Sequence, residues 1–191
     1  FLHNDDIYIS ELIRIALAHY QFETIHPFLD GNGRMGRLLI TLYLVSKDML
    51  FRPALYLSAF FEQHRATYYN NLSRVSKQND MKQWLLFFMV GVIQTSESSI
   101  STLRKISQLK ATLEKDILVL GRKQGNAYKL LQHLFSKPVI TANEVESIVG
   151  VSTPTANSLL RDFAQLNILK ERTGYQRNRV FSFVEYIALF Q

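Results

Sequence analysis

The chain of 191 residues contains no cysteine, which excludes disulfide bonds and cysteine-ligated metal sites. It also lacks the run of about 18 apolar residues that a membrane helix requires. The apolar segment LLFFMVGVI, residues 85–93, is too short for that role. No signal peptide is visible after Phe1. We therefore expect a cytoplasmic protein without membrane contact.

Two further absences concern phosphate binding and charge. The chain has one short glycine-rich segment, DGNGRMG at residues 30–36. No Gly-Lys-Ser/Thr follows it, so it is not a Walker A site. A strong basic excess is also missing, since 22 Lys and Arg stand against 16 Asp and Glu. Most of the excess lies in residues 122–191, which hold nine Lys/Arg and five Asp/Glu. This uneven charge indicates a separate C-terminal module.

The segment HPFLDGNGRMGR, residues 26–37, concentrates residue types that phosphoryl chemistry uses. Pro27 interrupts a helix, and the glycines allow a ligand to approach the backbone closely. From Arg34 onward, apolar residues recur at helical spacing, which predicts a helix that begins at the loop. The unpaired N–H groups of a helix start, together with Arg34 and Arg37, predict an anion site.

The same segment resembles the signature of the Fic family, H-x-F-x-D/E-G-N-G-R-x-x-R, and matches every fixed position. The resemblance implies a mainly α-helical core that transfers AMP from ATP to a Ser, Thr or Tyr hydroxyl of a target protein, releasing pyrophosphate. It implies that His26 is the general base, a role for which an imidazole is the commonest side chain. It also implies that Asp30 holds a Mg²⁺ cofactor that bridges two phosphates.

The resemblance extends the nucleotide site along the loop and beyond it. The amide of Asn32 would donate to the α-phosphate, and Arg34 and Arg37 would hold the outgoing pyrophosphate. The downstream run RATYYNNLSRV, residues 65–75, resembles a helix whose paired tyrosines border the adenine; a place in the core is the alternative for both tyrosines. The predicted nucleotide-binding residues are Asp30, Gly31, Asn32, Gly33, Arg34, Met35, Gly36, Arg37, Tyr68 and Tyr69.

Helices are predicted on both sides of this segment. One covers about residues 9–23, and another begins at Asp80, which forms a capping box with Gln83. The second is apolar nearly all round, so we expect it to be buried. A separate linker helix is predicted over residues 96–121, ending at Gly121. Its apolar stripe would pack on the catalytic core or pair with a second copy in a homodimer.

The sequence of residues 123–191 predicts a small α+β module. Three short helices are predicted: residues 126–135, a helix capped by Thr141 and Glu144 and ended by Gly150, and a helix capped by Thr153. Two β-rich runs follow around Gly174. The order resembles a winged helix-turn-helix domain. The predicted domains are therefore a catalytic part (residues 1–95), a linker helix (96–122) and a winged helix (123–191).

A winged helix binds either DNA or another protein. Its third helix and wing would supply the DNA contacts, because Asn and Arg read bases and Arg grips phosphate. The mild charge and the single arginine of the third helix favour a protein partner instead. The candidate DNA-binding residues are Thr155, Asn157, Ser158, Arg161, Arg172, Arg177 and Arg179.

Two rival functions remain open. One is an enzyme of the same fold that moves a different phosphate-bearing group or removes AMP from a modified protein. The other is a nucleotide-sensing regulator that binds DNA through the winged helix. The presence of His26 argues against the regulator, since a sensor needs no general base.

Overall fold

The computed structural model describes residues 1–4, 6–50, 55–175 and 179–190. The chain divides into two compact units, residues 1–100 and residues 101–191. Most of the described residues are helical, and a small antiparallel sheet lies in the second unit. Within the described ranges, no helix combines the length and the apolarity that crossing a membrane requires.

The first unit consists of helices joined by short connections. The predicted helix over residues 9–23 is confirmed, although it begins and ends two residues later. The helices are α1 (Glu11–Ile25), α2 (Asn32–Ser46), α3 (Leu57–Gln63), α4 (Arg65–Gln78) and the first part of α5 (Met81–Asp116).

The core of the first unit is built around aromatic side chains of α3, α4 and α5. Trp84 and Phe88 are fully buried, and the Trp84 indole N–H donates to the carbonyl of Ala16 over 2.9 Å. Phe61 lies between α4 and α5, with its ring centroid 4.9 Å from that of Tyr68 and 6.3 Å from that of Phe88. These contacts hold α4 and α5 against α1, which carries the predicted catalytic loop at its end.

Helix α5 differs from the prediction in two respects. It is not buried all round, because Leu86, Val90 and Ile93 are exposed on one face while Trp84 and Phe88 are buried on the other. It also continues without interruption to Asp116, so the predicted linker helix is not a separate element. No proline or glycine lies near residue 96 to stop the helix there, and the two predicted periodic segments merge.

The far end of α5 belongs to the core of the second unit. Leu109, Leu113 and Ile117 pack in one cluster with Leu130 and Phe163. This part of the predicted linker stripe therefore packs within the second unit, whereas Leu103 at its beginning is exposed. The helix ends at Asp116, before Gly121, and a 3₁₀ helix (Ile117–Lys123) follows it.

The second unit places short helices beside a three-stranded antiparallel sheet of order β1-β3-β2. In the register, Ile140 lies opposite Phe181, and Lys170 lies opposite Ser182. The elements are α6 (Gln124–Leu134), β1 (Val139–Thr141), α7 (Ala142–Val149), α8 (Thr153–Gln165), β2 (Lys170–Glu171), β3 (Val180–Ser182) and α9 (Val184–Ala188).

Helix caps in the second unit largely follow the prediction. The Thr141 N–H donates to the Glu144 carboxylate over 2.8 Å, which confirms the capping box, and Gly150 ends α7 in the left-handed conformation. Lys137 and Thr141 hold the pKa of Glu144 down at about 2. The cap of α8 is Ser152 rather than Thr153, because Thr153 is already helical.

The tight packing of α5 on α3 gives a test of the first unit. A Cβ at Gly91 would lie 2.6 Å from the Phe60 ring, whose centroid lies 4.6 Å from that of His64 and 5.2 Å from that of Phe87. We expect Gly91→Ala to destabilise the first unit by about 1–3 kcal/mol, since overpacking exceeds the gain in helix propensity. Urea denaturation followed by the fluorescence of Trp84, the single tryptophan, measures this change.

Gly125→Ala is the matched control. No atom lies within 4 Å of a Cβ at Gly125, near the start of α6. The added methyl should therefore stabilise the second unit by up to about 1 kcal/mol, as measured by circular dichroism. Equal effects of the two substitutions would contradict the packing described at Gly91.

Candidate active site

The predicted catalytic loop connects α1 to α2. Helix α1 ends at Ile25, and His26 follows in the left-handed conformation with φ 51°. The His26 N–H donates to the carbonyl of Phe22 over 3.0 Å and so closes the helix. Pro27 prevents the helix from continuing. The turn therefore places His26 at the mouth of the loop, where its side chain is exposed.

The surroundings of His26 favour one tautomer. Its Nδ1 lies 3.4 Å from the backbone carbonyl oxygen of Glu23. A carbonyl only accepts hydrogen bonds, so this contact favours a proton on Nδ1. The lone pair of Nε2 is then free to take a proton from a substrate, as a general base requires.

Asn32 holds the loop in shape. Its buried side chain accepts a hydrogen bond from the Phe28 N–H over 2.9 Å and donates to the Phe28 carbonyl over 2.6 Å. This pair closes the turn from Phe28 to Asn32. One amide N–H of Asn32 is thereby used, and a contact of the other with an α-phosphate stays a prediction.

Helix α2 begins two residues earlier than the sequence predicts. Gly31 caps it with φ 82°, a conformation that glycine adopts readily, and Asn32 and Gly33 form its first turn. The backbone N–H groups of this turn have no partner within the helix. Arg34 and Arg37 project from the same end, so a helix N-terminus and two guanidinium groups together form an anion-binding surface.

These groups open onto a cavity of about 340 Å³. One side is the loop with the start of α2, and the other side is formed by α3 and α4. The lining residues are His26, Leu29, Asp30, Gly31, Asn32, Gly33, Arg34, Arg37, Phe61, Glu62, Arg65, Tyr68 and Tyr69.

The cavity brings together most of the predicted site residues. His26, Asp30, both motif arginines and the tyrosine pair all line it, although the tyrosines lie far from the loop in sequence. Met35 and Gly36 do not belong to the lining among the described residues. They lie on other faces of α2, where Met35 is exposed and Gly36 is buried against α1. Their predicted role in nucleotide binding stays a prediction.

Charge around the cavity is only partly paired. Asp30 and Arg34 approach to 3.5 Å, but both side chains are largely exposed, so their ion pair contributes little. Among the described residues, neither Arg37 nor Arg65 takes part in an ion pair that the structure contains. The cavity therefore offers unpaired positive charge to an anionic ligand.

Four lining residues were missed by the sequence reasoning, and one of them, Leu29, lies in the loop itself. Phe61, Glu62 and Arg65 come from α3 and the start of α4. Arg65 places its guanidinium 5.9 Å from the ring centroid of Tyr69. The spacing of four residues between Arg65 and Tyr69 on one helix was the available signal.

A buried polar cluster lies under the loop. His19 on α1 is fully buried, and burial lowers its pKa to about 4 against the contrary effect of its bond to Gly36. Burial also raises the pKa of the Tyr68 hydroxyl. The pKa of the Glu23 carboxyl is raised by burial too, although the positive charge of Arg37 opposes the change.

The candidate DNA contacts of the second unit are mostly engaged within the chain. Asn157 accepts from Arg179 over 3.3 Å, and Ser158 accepts from Lys123 over 2.9 Å. Arg172 donates to Ser182 over 2.7 Å. These bonds use groups that DNA contact would require.

The remaining DNA candidates differ in their surroundings. Thr155 is exposed, with its hydroxyl 3.1 Å from that of Ser152. Arg161 is exposed and takes part in none of the ion pairs within the described ranges. Arg177 lies outside the described residues.

Comparison with known proteins identifies the segment that carries the cavity loop. Residues 3–44 match the Fic/DOC family. These residues contain all of α1, the loop and the part of α2 that carries Arg34 and Arg37. The fold is similar to the crystal structure of a Fic family protein from Desulfovibrio desulfuricans, with a TM-score of 0.50 and 23% identity. The alignment covers 95% of this chain and 51% of that one.

Curated proteins that are similar to part of this chain carry the name protein adenylyltransferase. Protein adenylyltransferase fic-1 of Caenorhabditis elegans is 34% identical over 104 residues, which is 54% of this chain and 18% of the relative. Protein adenylyltransferase Fic of Aedes aegypti is 38% identical over 72 residues, 38% of this chain and 13% of the relative. The chain thus spans less than a fifth of the length of each.

Burial of His19 predicts a loss of stability in acid. Its folded pKa of about 4 lies below the ordinary 6.5, so the stabilisation is complete above pH 6.5 and is lost as the pH falls towards 4. The loss should reach about 3 kcal/mol. Glu23 acts with the opposite sign, because its pKa is raised.

The check is urea denaturation in steps from about pH 7.5 to 4.5. The fluorescence of Trp84 reports on the first unit, since its ring stacks on His19 at 5.9 Å. His19→Phe removes the titrating group and should flatten the profile between these pH values. A profile with the same slope in both proteins would rule out His19 as its source.

Proposed function

We propose that this chain is part of a Fic-type protein adenylyltransferase, which transfers AMP from ATP to a Ser, Thr or Tyr hydroxyl of a target protein and releases pyrophosphate. One observation carries the proposal: His26, the N-terminus of α2 and two arginines open onto a single cavity. A general base beside an anion-binding surface is what nucleotidyl transfer requires. The names of the relatives agree with this reaction.

In the proposed reaction, Nε2 of His26 takes the proton of the target hydroxyl as its oxygen attacks the α-phosphorus. The bond between the α-phosphorus and the bridging oxygen breaks, and the electron pair leaves with pyrophosphate. Arg34 and Arg37 hold the β- and γ-phosphates in line and stabilise the leaving charge. The amides at the start of α2 stabilise the charge that develops on the α-phosphate.

The residues present fit a Mg²⁺ that accompanies the nucleotide. Asp30 is an exposed carboxylate on the cavity wall, and Mg²⁺ is commonly held by one or two carboxylates together with phosphates and water. Among the described residues, no three acidic or histidine side chains are grouped to hold a metal. Asp30 would therefore be the main protein ligand, and the ion would neutralise phosphate charge during transfer.

The aromatic side of the cavity suits a nucleobase. Tyr68 belongs to the buried core, as the alternative for it predicted, so the exposed Tyr69, which meets it edge to face at 5.2 Å, would supply the stacking surface. Stacking on such a surface is tolerant of base identity. ATP is proposed on the basis of the relatives' names, while a related phosphotransferase or a de-AMPylase would use the same loop.

For the second unit we propose a winged helix. The order α6, β1, α7, α8, β2, β3 with an antiparallel sheet supports it. Engagement of Asn157, Ser158 and Arg172 within the chain favours a protein partner or a second copy over DNA. Binding of a labelled duplex with a steep salt dependence would support the rival regulator instead.

The central test is loss of transfer in His26→Ala. The protein is incubated with Mg²⁺, lysate and ATP labelled at the α-phosphate. We expect transfer to fall about 10²–10⁴-fold while the Kd for ATP changes little, because the base acts in the transition state. His3→Ala, an exposed histidine away from the cavity, is the control and should keep full transfer.

Two outcomes would contradict the assignment of His26. Undiminished labelling by the His26→Ala variant would exclude it as the base. A large loss of ATP affinity would make it a binding residue rather than a catalytic one.

Arg37, in the second turn of α2, is expected to contact the outer phosphates of ATP, which AMP lacks. Arg37→Ala should raise the Kd for ATP about tenfold or more and leave the Kd for AMP nearly unchanged, since AMP lacks the outer phosphates. Calorimetric titration with each nucleotide measures both constants. Lys77→Ala removes one positive charge from the same unit away from the cavity. An equal loss for ATP and AMP would place Arg37 away from the outer phosphates.

A further inference from the structure

His19 connects three helices beneath the cavity. Its Nδ1 lies 3.0 Å from the Gly36 carbonyl oxygen on α2, and its Nε2 lies 2.9 Å from the Tyr68 hydroxyl on α4. The ring lies nearly parallel to the rings of Phe61, at 5.7 Å, and Trp84, at 5.9 Å. Such close packing of a fully buried ring restrains the imidazole next to both polar partners.

The partners determine where the protons lie. The Gly36 carbonyl can only accept, so His19 Nδ1 carries the proton and donates it. His19 Nε2 is then an acceptor, and the Tyr68 hydroxyl donates to it. Both ring nitrogens are satisfied in the neutral imidazole, in keeping with the lowered pKa of His19. The Tyr68 hydroxyl is thus engaged by a buried partner, while the residue also belongs to the lining of the cavity.

Gly36 lies between the two cavity arginines in sequence, and α2 approaches α1 closely there. A Cβ on Gly36 would lie 3.1 Å from Cε1 of His19 and closer still to the Glu23 carboxylate. The bond from His19 consequently holds the backbone that carries Arg34 and Arg37. The hydrogen bond between the Tyr68 hydroxyl and His19 Nε2 holds Tyr68, which belongs to α4 on the other side of the cavity.

We propose that His19 is a positioning residue that fixes the spacing between the phosphate-binding turns of α2 and the aromatic wall of α4. The proposal rests on the proposed function, because the ligand that needs both walls at a fixed spacing is a nucleoside triphosphate. Its phosphates would lie at Arg34 and Arg37 and its base at the tyrosines. AMP, which lacks the outer phosphates, should depend less on the spacing.

A purely structural role of His19 can be distinguished from positioning by comparing the stability of variants with their affinity for nucleotide. Buried polar groups that satisfy each other can be replaced together by apolar groups at little cost, whereas removal of one partner leaves the other unpaired. His19→Phe leaves the Tyr68 hydroxyl without its acceptor. The double variant His19→Phe with Tyr68→Phe removes both polar groups, and its stability should recover relative to His19→Phe.

The test measures stability and nucleotide affinity in the full chain for both variants. We expect the Kd for ATP to rise about tenfold in His19→Phe and to stay raised in the double variant, although stability recovers. The Kd for AMP should change much less. Val75→Ala, a core substitution on α4 away from the cavity lining, provides a destabilised control and should bind ATP as the original chain does.

Hydrogen exchange of residues 31–40 supplies a readout that needs no nucleotide. Exchange there should quicken in the double variant and not in Val75→Ala. If affinity and exchange both follow stability alone, His19 is an ordinary core residue and the proposal is overturned.

Failure of the proposed function would look different. If the original chain binds no ATP, hydrogen exchange alone decides: quicker exchange in the double variant supports positioning, and unchanged exchange overturns it.

Discussion

The close approach of α1 and α2 at Gly36 is the constraint on which the site depends. A glycine at this position lets the α2 backbone reach His19 and Glu23, with no space for a Cβ between them. The loop from His26 to Gly31 is short, so its shape follows from how its two flanking helices pack. Separation of these helices would move His26 away from the arginines that share its cavity. The geometry of the candidate site thus depends on packing beneath the loop.

The electrostatics of the cavity follow from the same arrangement. Helix α2 starts with its free N–H groups and two arginines on one side, an unfavourable grouping when no anion is present. The ion pair of Arg34 with Asp30 is exposed and offsets little of this cost. Arg65 adds a further positive charge from α4. A polyphosphate would relieve this repulsion, which is the physical argument for the nucleoside triphosphate that we propose.

Local patterns predicted much of the fold. Helical periodicity located α1 and α2 within two residues, and the Thr141–Glu144 capping box formed as expected. The predicted length of α5 was wrong, since residues 96–121 were predicted as a separate helix although no proline or glycine lies between Gly91 and Gly121. The exposed face of α5 was also missed, because an apolar composition does not tell which side a neighbouring helix covers.

The sequence by itself determined the chemistry of the loop. The order of His26, Asp30, Arg34 and Arg37 within a short glycine-rich segment leaves few arrangements other than a turn into a helix start. Tertiary structure decided which distant side chains complete the cavity: Arg65 and Glu62 line it, whereas Met35 and Gly36 lie on other faces of α2. It also placed His19 in hydrogen bonds to both α2 and α4, which the sequence alone does not indicate. Residue type is local information, but burial and partners depend on which helices meet, and packing of the whole unit alone settles that.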